Sequence, residues 1–144
     1  MRILFVSDAP SIHTRRWAEY FRDQGAEVHV ASFRPFGIKD VTIHILPSFG
    51  LGKFGYFFSP FALRKLFNTL RPDVVHAQYV TSYGFFAALA RLHPLIITAW
   101  GTDVLISPKQ SRLMRFFASY AVKHADAVTT VAEHMNSSIV DLGV

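Results

Sequence analysis

Short β-branched runs alternating with longer segments of helical period predict an α/β domain, a mostly parallel sheet with helices on both faces. Two further observations agree. The runs Ile3-Leu4-Phe5-Val6 and Leu95-Ile96-Ile97 are apolar without alternation, as strands buried on both sides must be. The chain of 144 residues is 51% hydrophobic and 17% charged, which fits one core and excludes a disordered segment.

Residues 2–7 read as the first strand. Thr14 is placed to cap a helix that runs to about residue 24, and Gly25 supplies the left-handed residue that ends it. Trp17, Tyr20 and Phe21 share one face of that helix. Residues 27–32 form a second strand, and residues 41–46 a third that alternates Val41, Ile43 and Ile45 with Thr42 and His44. A Gly- and Phe-rich loop covers residues 47–59, and the next helix spans 60–70. Residues 73–77 are the fourth strand, 82–92 a helix and 95–99 the fifth strand. Ser107-Pro108 then opens a long helix, serine as cap and proline in the first turn. Its expected core stripe is Leu113, Phe116, Phe117 and Tyr120, with Lys123 and His124 at the negative end of its dipole. A sixth strand spans 127–131, and a last helix begins near Glu133.

Several chemistries are excluded. Without cysteine there is no disulfide framework, zinc–thiolate site or cysteine nucleophile. His29, His44, His93, His124 and His134 lack metal-site spacing, so no metal is expected. No Gly-x-Gly-x-x-Gly comes after the first strand, and neither a Walker loop nor a Gly-x-Ser-x-Gly elbow is present. The N-terminal residues turn polar too soon for a secretory signal, and no apolar run reaches the roughly 18 residues of a spanning helix. A cytoplasmic chain is expected. The net charge of +5 suits an anionic membrane or a phosphorylated ligand, or solubility alone. No recognition motif accompanies it, so nucleic acid is not expected as a partner.

Open α/β sheets bind ligands outside the carboxyl ends of their strands. Polar residues gather there: Ser7-Asp8-Ala9-Pro10-Ser11-Ile12-His13, His76-Ala77-Gln78-Tyr79, Trp100-Gly101-Thr102-Asp103 and Glu133-His134. Two readings stand for each. His76 is a site residue or a strand-end histidine with a structural bond, and Gly101-Thr102-Asp103 is a ligand loop or simply a turn.

Residues 41–72 hold no Asp or Glu but carry Lys53, Arg64, Lys65 and Arg71 among Phe49, Phe54, Tyr56, Phe57, Phe58, Phe61 and Phe67. Aromatics beside cations suit an anionic bilayer surface, with Phe54, Phe57, Phe58, Arg64 and Lys65 as the expected contacts. The alternative places Phe61 and Phe67 in the core and leaves the cations solvated.

An ordered set of motifs carries a resemblance. It comprises Met1-Arg2-Ile3-Leu4-Phe5-Val6, His13-Thr14-Arg15-Arg16-Trp17-Ala18, Gly25-Ala26-Glu27-Val28-His29-Val30 and Arg71-Pro72-Asp73-Val74-Val75-His76-Ala77-Gln78-Tyr79. Thr98-Ala99-Trp100-Gly101-Thr102-Asp103-Val104 and Ala125-Asp126-Ala127-Val128-Thr129-Thr130-Val131 complete it. The chain resembles the N-terminal domain of the retaining glycosyltransferases of family 4, whose GT-B architecture pairs two Rossmann-like domains. The resemblance implies transfer of a sugar from a UDP- or GDP-sugar to an acceptor, lipid-linked or a surface-polysaccharide precursor. It implies no cofactor and no metal. Residues 1–144 would form the acceptor-side wall, with Asp103 and His76 as catalytic residues. His13, Arg16, Trp100, Gly101 and Thr102 would bind substrate.

The chain departs from the family pattern at three points. Ala9-Pro10-Ser11-Ile12-His13 stands where many members have a glycine pair, Trp100 where many have histidine, and Ala132 where the family has serine. The donor-binding C-terminal domain, with its pair of glutamates, is not within these residues. The expectation is an acceptor-side half that is inactive alone, peripheral at the inner face of a cell membrane. A non-catalytic Rossmann-like binding module is the rival.

Overall fold

The computed structural model describes residues 1–143, except for the side chains of residues 52 and 53. Lys53, one of the cations of the aromatic segment, therefore has its side chain outside the described residues. Six strands, β1 (Arg2–Val6), β2 (Glu27–Ser32), β3 (Thr42–Ile45), β4 (Val74–Gln78), β5 (Leu95–Ala99) and β6 (Ala127–Thr130), form one sheet of order β3-β2-β1-β4-β5-β6. Every neighbouring pair is parallel.

The order decides which face each helix covers. Crossovers between parallel strands are right-handed, so connections stepping from β1 towards β3 and from β4 towards β6 lie on opposite faces. On one face α1 (Ile12–Asp23) brings Ala18, Trp17 and Phe21 against Ile3, Phe5, Val28 and Val30. On the other, α2 (Ser59–Leu70), α3 (Phe85–Leu89) and α6 (Arg112–Lys123) close over Leu4, Val6, Val75, Ala77, Leu95, Ile97 and Ala99. Alternate residues of β1 thus feed two cores, which is why that strand is apolar throughout. Between β1 and β4 the connections part to opposite faces, leaving a crevice at the carboxyl edge.

Local chemistry corrects several expected boundaries. Ser11, not Thr14, caps α1: its Oγ accepts from the His13 N–H at 3.3 Å, while Thr14 is buried. Residues 52–58 of the expected loop wind into a 3₁₀ turn (Gly52–Phe58). It runs so close to the preceding loop that a Cβ on Gly55 would overlap the Ser48 carbonyl. The expected helix over 82–92 is a π turn (Val80–Gly84) leading into α3.

A short helix, α4 (Thr102–Leu105), precedes the long helix expected from Ser107, which is itself two pieces, α5 (Ser107–Gln110) and α6. Ser107 is the first residue of α5 and not its cap, a place Ile106 takes without a side-chain bond. The break falls at Ser111, whose extended backbone (φ −146°, ψ 129°) lets its Oγ accept from the Met114 N–H. Within α6 the packing on the core selects a neighbouring stripe. Leu113 and Phe116 are exposed, Phe117 and Tyr120 pack against the core, and Ala118, Ala121 and Val122 are buried. Tyr20 of α1 and Ile45 of β3 likewise face outward. The last helix, α7 (Asn136–Leu142), comes after a 3₁₀ turn over Glu133–Met135.

Candidate active-site cleft

The carboxyl ends of β1, β2, β4 and β5 surround a cleft of about 520 Å³. Its walls begin with the loop after β1. Asp8 there accepts from the Arg34 Nε at 2.8 Å and pairs also with the second guanidinium nitrogen, so Arg34, from the loop after β2, is held at the rim. Ser32 joins the same two loops, its Oγ accepting from the Ala9 N–H at 3.0 Å and donating to the Arg34 carbonyl at 2.9 Å. Tyr83 lines the cleft with its phenol pushed up by burial.

The opposite wall is aromatic. His13, at the start of α1, stacks on Trp100 after β5, ring centroids 4.0 Å apart and planes 29° apart. Tyr79, after β4, sits at φ 84°, a conformation that costs a non-glycine residue about 1–3 kcal/mol. That geometry directs its hydroxyl to Thr102 Oγ1 at 2.7 Å, bracing the β4 and β5 loops against each other.

Polar groups on the floor are only partly satisfied. Gln78 is buried, its Oε1 accepts from Thr14 Oγ1 at 3.4 Å, and its Nε2 has no partner among the described residues. A buried donor left unpaired costs about 1–3 kcal/mol, which a ligand acceptor would recover. The first turn of α1, free of acidic residues, faces the same space with its positive dipole end.

Several expected site residues lie elsewhere. Asp103, expected on the cleft wall, is fully buried. Its carboxylate accepts from the backbone N–H groups of Val80 at 2.8 Å, Trp100 at 3.1 Å and Gly101 at 2.9 Å. Gly101 at φ 130° makes the bend that aims two of those groups at it. Asp103 thus clasps the two loops from within.

His76, the other expected catalytic residue, is buried between Phe5 and Trp17, ring centroids 5.3 and 4.7 Å away. Its Nε2 bonds Thr98 Oγ1 at 2.6 Å, Thr98 bonds Thr129 at 2.7 Å, and burial pushes its pKa down to about 4. Its side chain points to the α1 face, because β4 sends alternate residues to alternate faces. Arg16 lies on a shallow surface with Trp17, Tyr20 and Phe21, away from the cleft.

Of the expected residues, His13 and Trp100 line the cleft and Thr102 reaches its edge through Tyr79. Arg34, Tyr83, Thr14 and Ser82 were missed as site residues. The strand-end rule that found the other loops would have found Arg34 too, since Ser32-Phe33-Arg34 stands at the carboxyl end of β2. Among the described residues no cluster of His, Cys, Asp and Glu could hold a metal ion, and no helix is long and apolar enough to cross a membrane. Phe54, Phe57, Phe58, Arg64 and Lys65 are all exposed.

A parallel sheet with a polar cleft at its switch point defines a Rossmann-like domain. The family described as glycosyl transferase 4-like matches residues 2–132, and the chain belongs to that family, as an N-terminal domain. No curated protein matches it. Among solved structures it is similar to a proposed UDP-N-acetylglucosamine 2-epimerase from Listeria monocytogenes, with TM-score 0.73 and 12% identity over 99% of this chain and 42% of that one. UDP-GlcNAc 2-epimerase from Methanocaldococcus jannaschii gives TM-score 0.70 and 12% identity over 100% of this chain and 43% of that one. SsfS6, a glycosyltransferase from Streptomyces sp. SF2575, gives 0.54 and 16% over 100% and 47%. At these identities the likeness is one of fold, and the chain spans less than half of each structure.

Proposed function

We propose that this domain forms the acceptor-side wall of a retaining glycosyltransferase that uses a UDP- or GDP-sugar. The observation that carries the reading is the cleft itself: the Gln78 Nε2, without a partner among the described residues, a helix N-terminus and the rim guanidinium of Arg34 converge where an open α/β sheet binds its ligand. Arg34 and the first turn of α1 would meet phosphate oxygens, stabilising the leaving group without a metal. Trp100, stacked on His13, offers an aromatic face to a sugar ring, and Thr102 a hydroxyl. Asp103 and His76 act from behind the wall, Asp103 by fixing the loop that carries Trp100 and Thr102. The exposed Phe54, Phe57 and Phe58, beside Arg64 and Lys65, would rest on an anionic membrane and bring a lipid-linked acceptor to the cleft.

Two measurements test this. Calorimetric titration of the 144-residue chain with UDP- and GDP-sugars should give a dissociation constant no tighter than roughly millimolar, about −4 kcal/mol, with no sugar transfer, because a second domain would hold most of the donor. Micromolar binding would show that this domain holds the donor itself. In flotation, the chain should rise with anionic but not neutral vesicles, at about 1 kcal/mol per basic residue near the surface, and Arg64→Glu with Lys65→Glu should abolish the preference. Equal recovery with both vesicle types would remove the membrane from the proposal.

A further inference from the structure

A second cavity, of about 400 Å³, opens beside the cleft, between the 3₁₀ turn, α3 and α6. Its floor is Phe85 stacked on Phe117 with centroids 4.2 Å apart, and at its mouth stand Phe57 and Leu113, 60% and 55% exposed. Side chains this apolar are normally covered. The inner end of the groove is Ser82, which also lines the polar cleft, so the two cavities meet at one residue.

Among the described residues no charged one lines the groove itself, and from Val74 to Ala125 the only acidic residue is Asp103, which is sealed in the interior. The polar cleft at the groove's end carries the Arg34 guanidinium, paired with Asp8, and the N-terminus of α1. An apolar slot leading into a polar cleft that holds a guanidinium and a helix N-terminus matches an amphiphile with an anionic head and a hydrocarbon tail.

We propose that this groove holds the hydrocarbon chain of an anionic amphiphile whose polar head lies in the cleft. The inference rests on the proposed acceptor role of the domain and goes further, since it gives the acceptor's tail a site on the protein rather than leaving it in the bilayer. A chain in the groove would thread past Phe57 and Leu113 and place its head near Ser82.

The test is calorimetric titration of the 144-residue chain with octyl, decyl and dodecyl phosphate below their micellar concentrations, against inorganic phosphate. Each buried methylene is worth about 0.8 kcal/mol, or about fourfold in affinity. Affinity should climb at about that rate with chain length, then level off once the groove is full. Leu113→Gln, at an exposed position that the fold tolerates, should weaken dodecyl phosphate about tenfold and leave inorganic phosphate unchanged.

Affinity independent of chain length, or unaffected by Leu113→Gln in a variant with native circular dichroism, would overturn the proposal. A concentration-dependent dimer that Leu113→Gln dissociates, with no dodecyl phosphate binding, would give the groove to a second copy and overturn it too. The vesicle preference reports on Arg64 and Lys65, so its loss with alkyl phosphate binding intact would fail the membrane reading and leave the groove standing.

Discussion

Replacing Asp103 by asparagine changes one atom in a carboxylate that three backbone N–H groups reach within 3.1 Å. If the amide oxygen keeps Trp100 and Gly101, the new NH₂ must face the Val80 N–H, donor against donor. One charge-assisted hydrogen bond is lost, about 1.5–3 kcal/mol, and a buried N–H is orphaned, about 1–3 kcal/mol. Relief of the carboxylate's desolvation offsets part of this, leaving a net loss of about 3 kcal/mol. For a domain of this size each kcal/mol lowers Tm by roughly 2–4 °C, so the expected fall is about 6–12 °C. Thermal unfolding of the 144-residue chain monitored by circular dichroism measures it, with no substrate and no second domain needed. Asp103→Ala should fall at least as far, since it orphans all three donors. An Asp103→Asn chain that melts with the wild type would refute the clasp and return Asp103 to the cleft as a group that faces substrate.

Three other perturbations have outcomes that the packing dictates. His76 is pushed by burial from its ordinary 6.5 to about 4, so its unfolded form takes up a proton first as the pH falls. Its contribution is complete above about pH 6.5 and is lost on the way down to about pH 4, up to about 3 kcal/mol. Urea midpoints measured across that window should decline in the wild type and flatten in His76→Leu, with the lowered His44 leaving a smaller slope of the same sign. Gly84→Ala would place a Cβ 3.1 Å from both Ile97 Cγ2 and the Tyr79 carbonyl, and should cost about 1–3 kcal/mol by chemical denaturation. Ser111→Ala removes the cap that restarts α6 and should cost about 1 kcal/mol, with Ser111→Asp restoring the wild-type midpoint.

The fold class was legible in the residues alone, because strands buried on both faces must be apolar throughout, and the runs at Ile3–Val6 and Leu95–Ile97 are. So was the position of the cleft, since residues that cannot be buried in a sheet collect at strand ends, where His13, Tyr79 and Trp100 stand. Which side chains look into the cleft depended on packing. His76 belongs to a motif next to the site, yet strand alternation turns it towards Trp17 on the far face. Asp103 belongs to another, yet three N–H groups from two loops draw it inside. Spacing along one segment cannot reveal partners that come from another. For the same reason the break at Ser111 and the exposure of Leu113 and Phe116 were hidden: a helical stripe shows that one face is apolar, and only the packing of α6 on α3 fixes which residues that face covers.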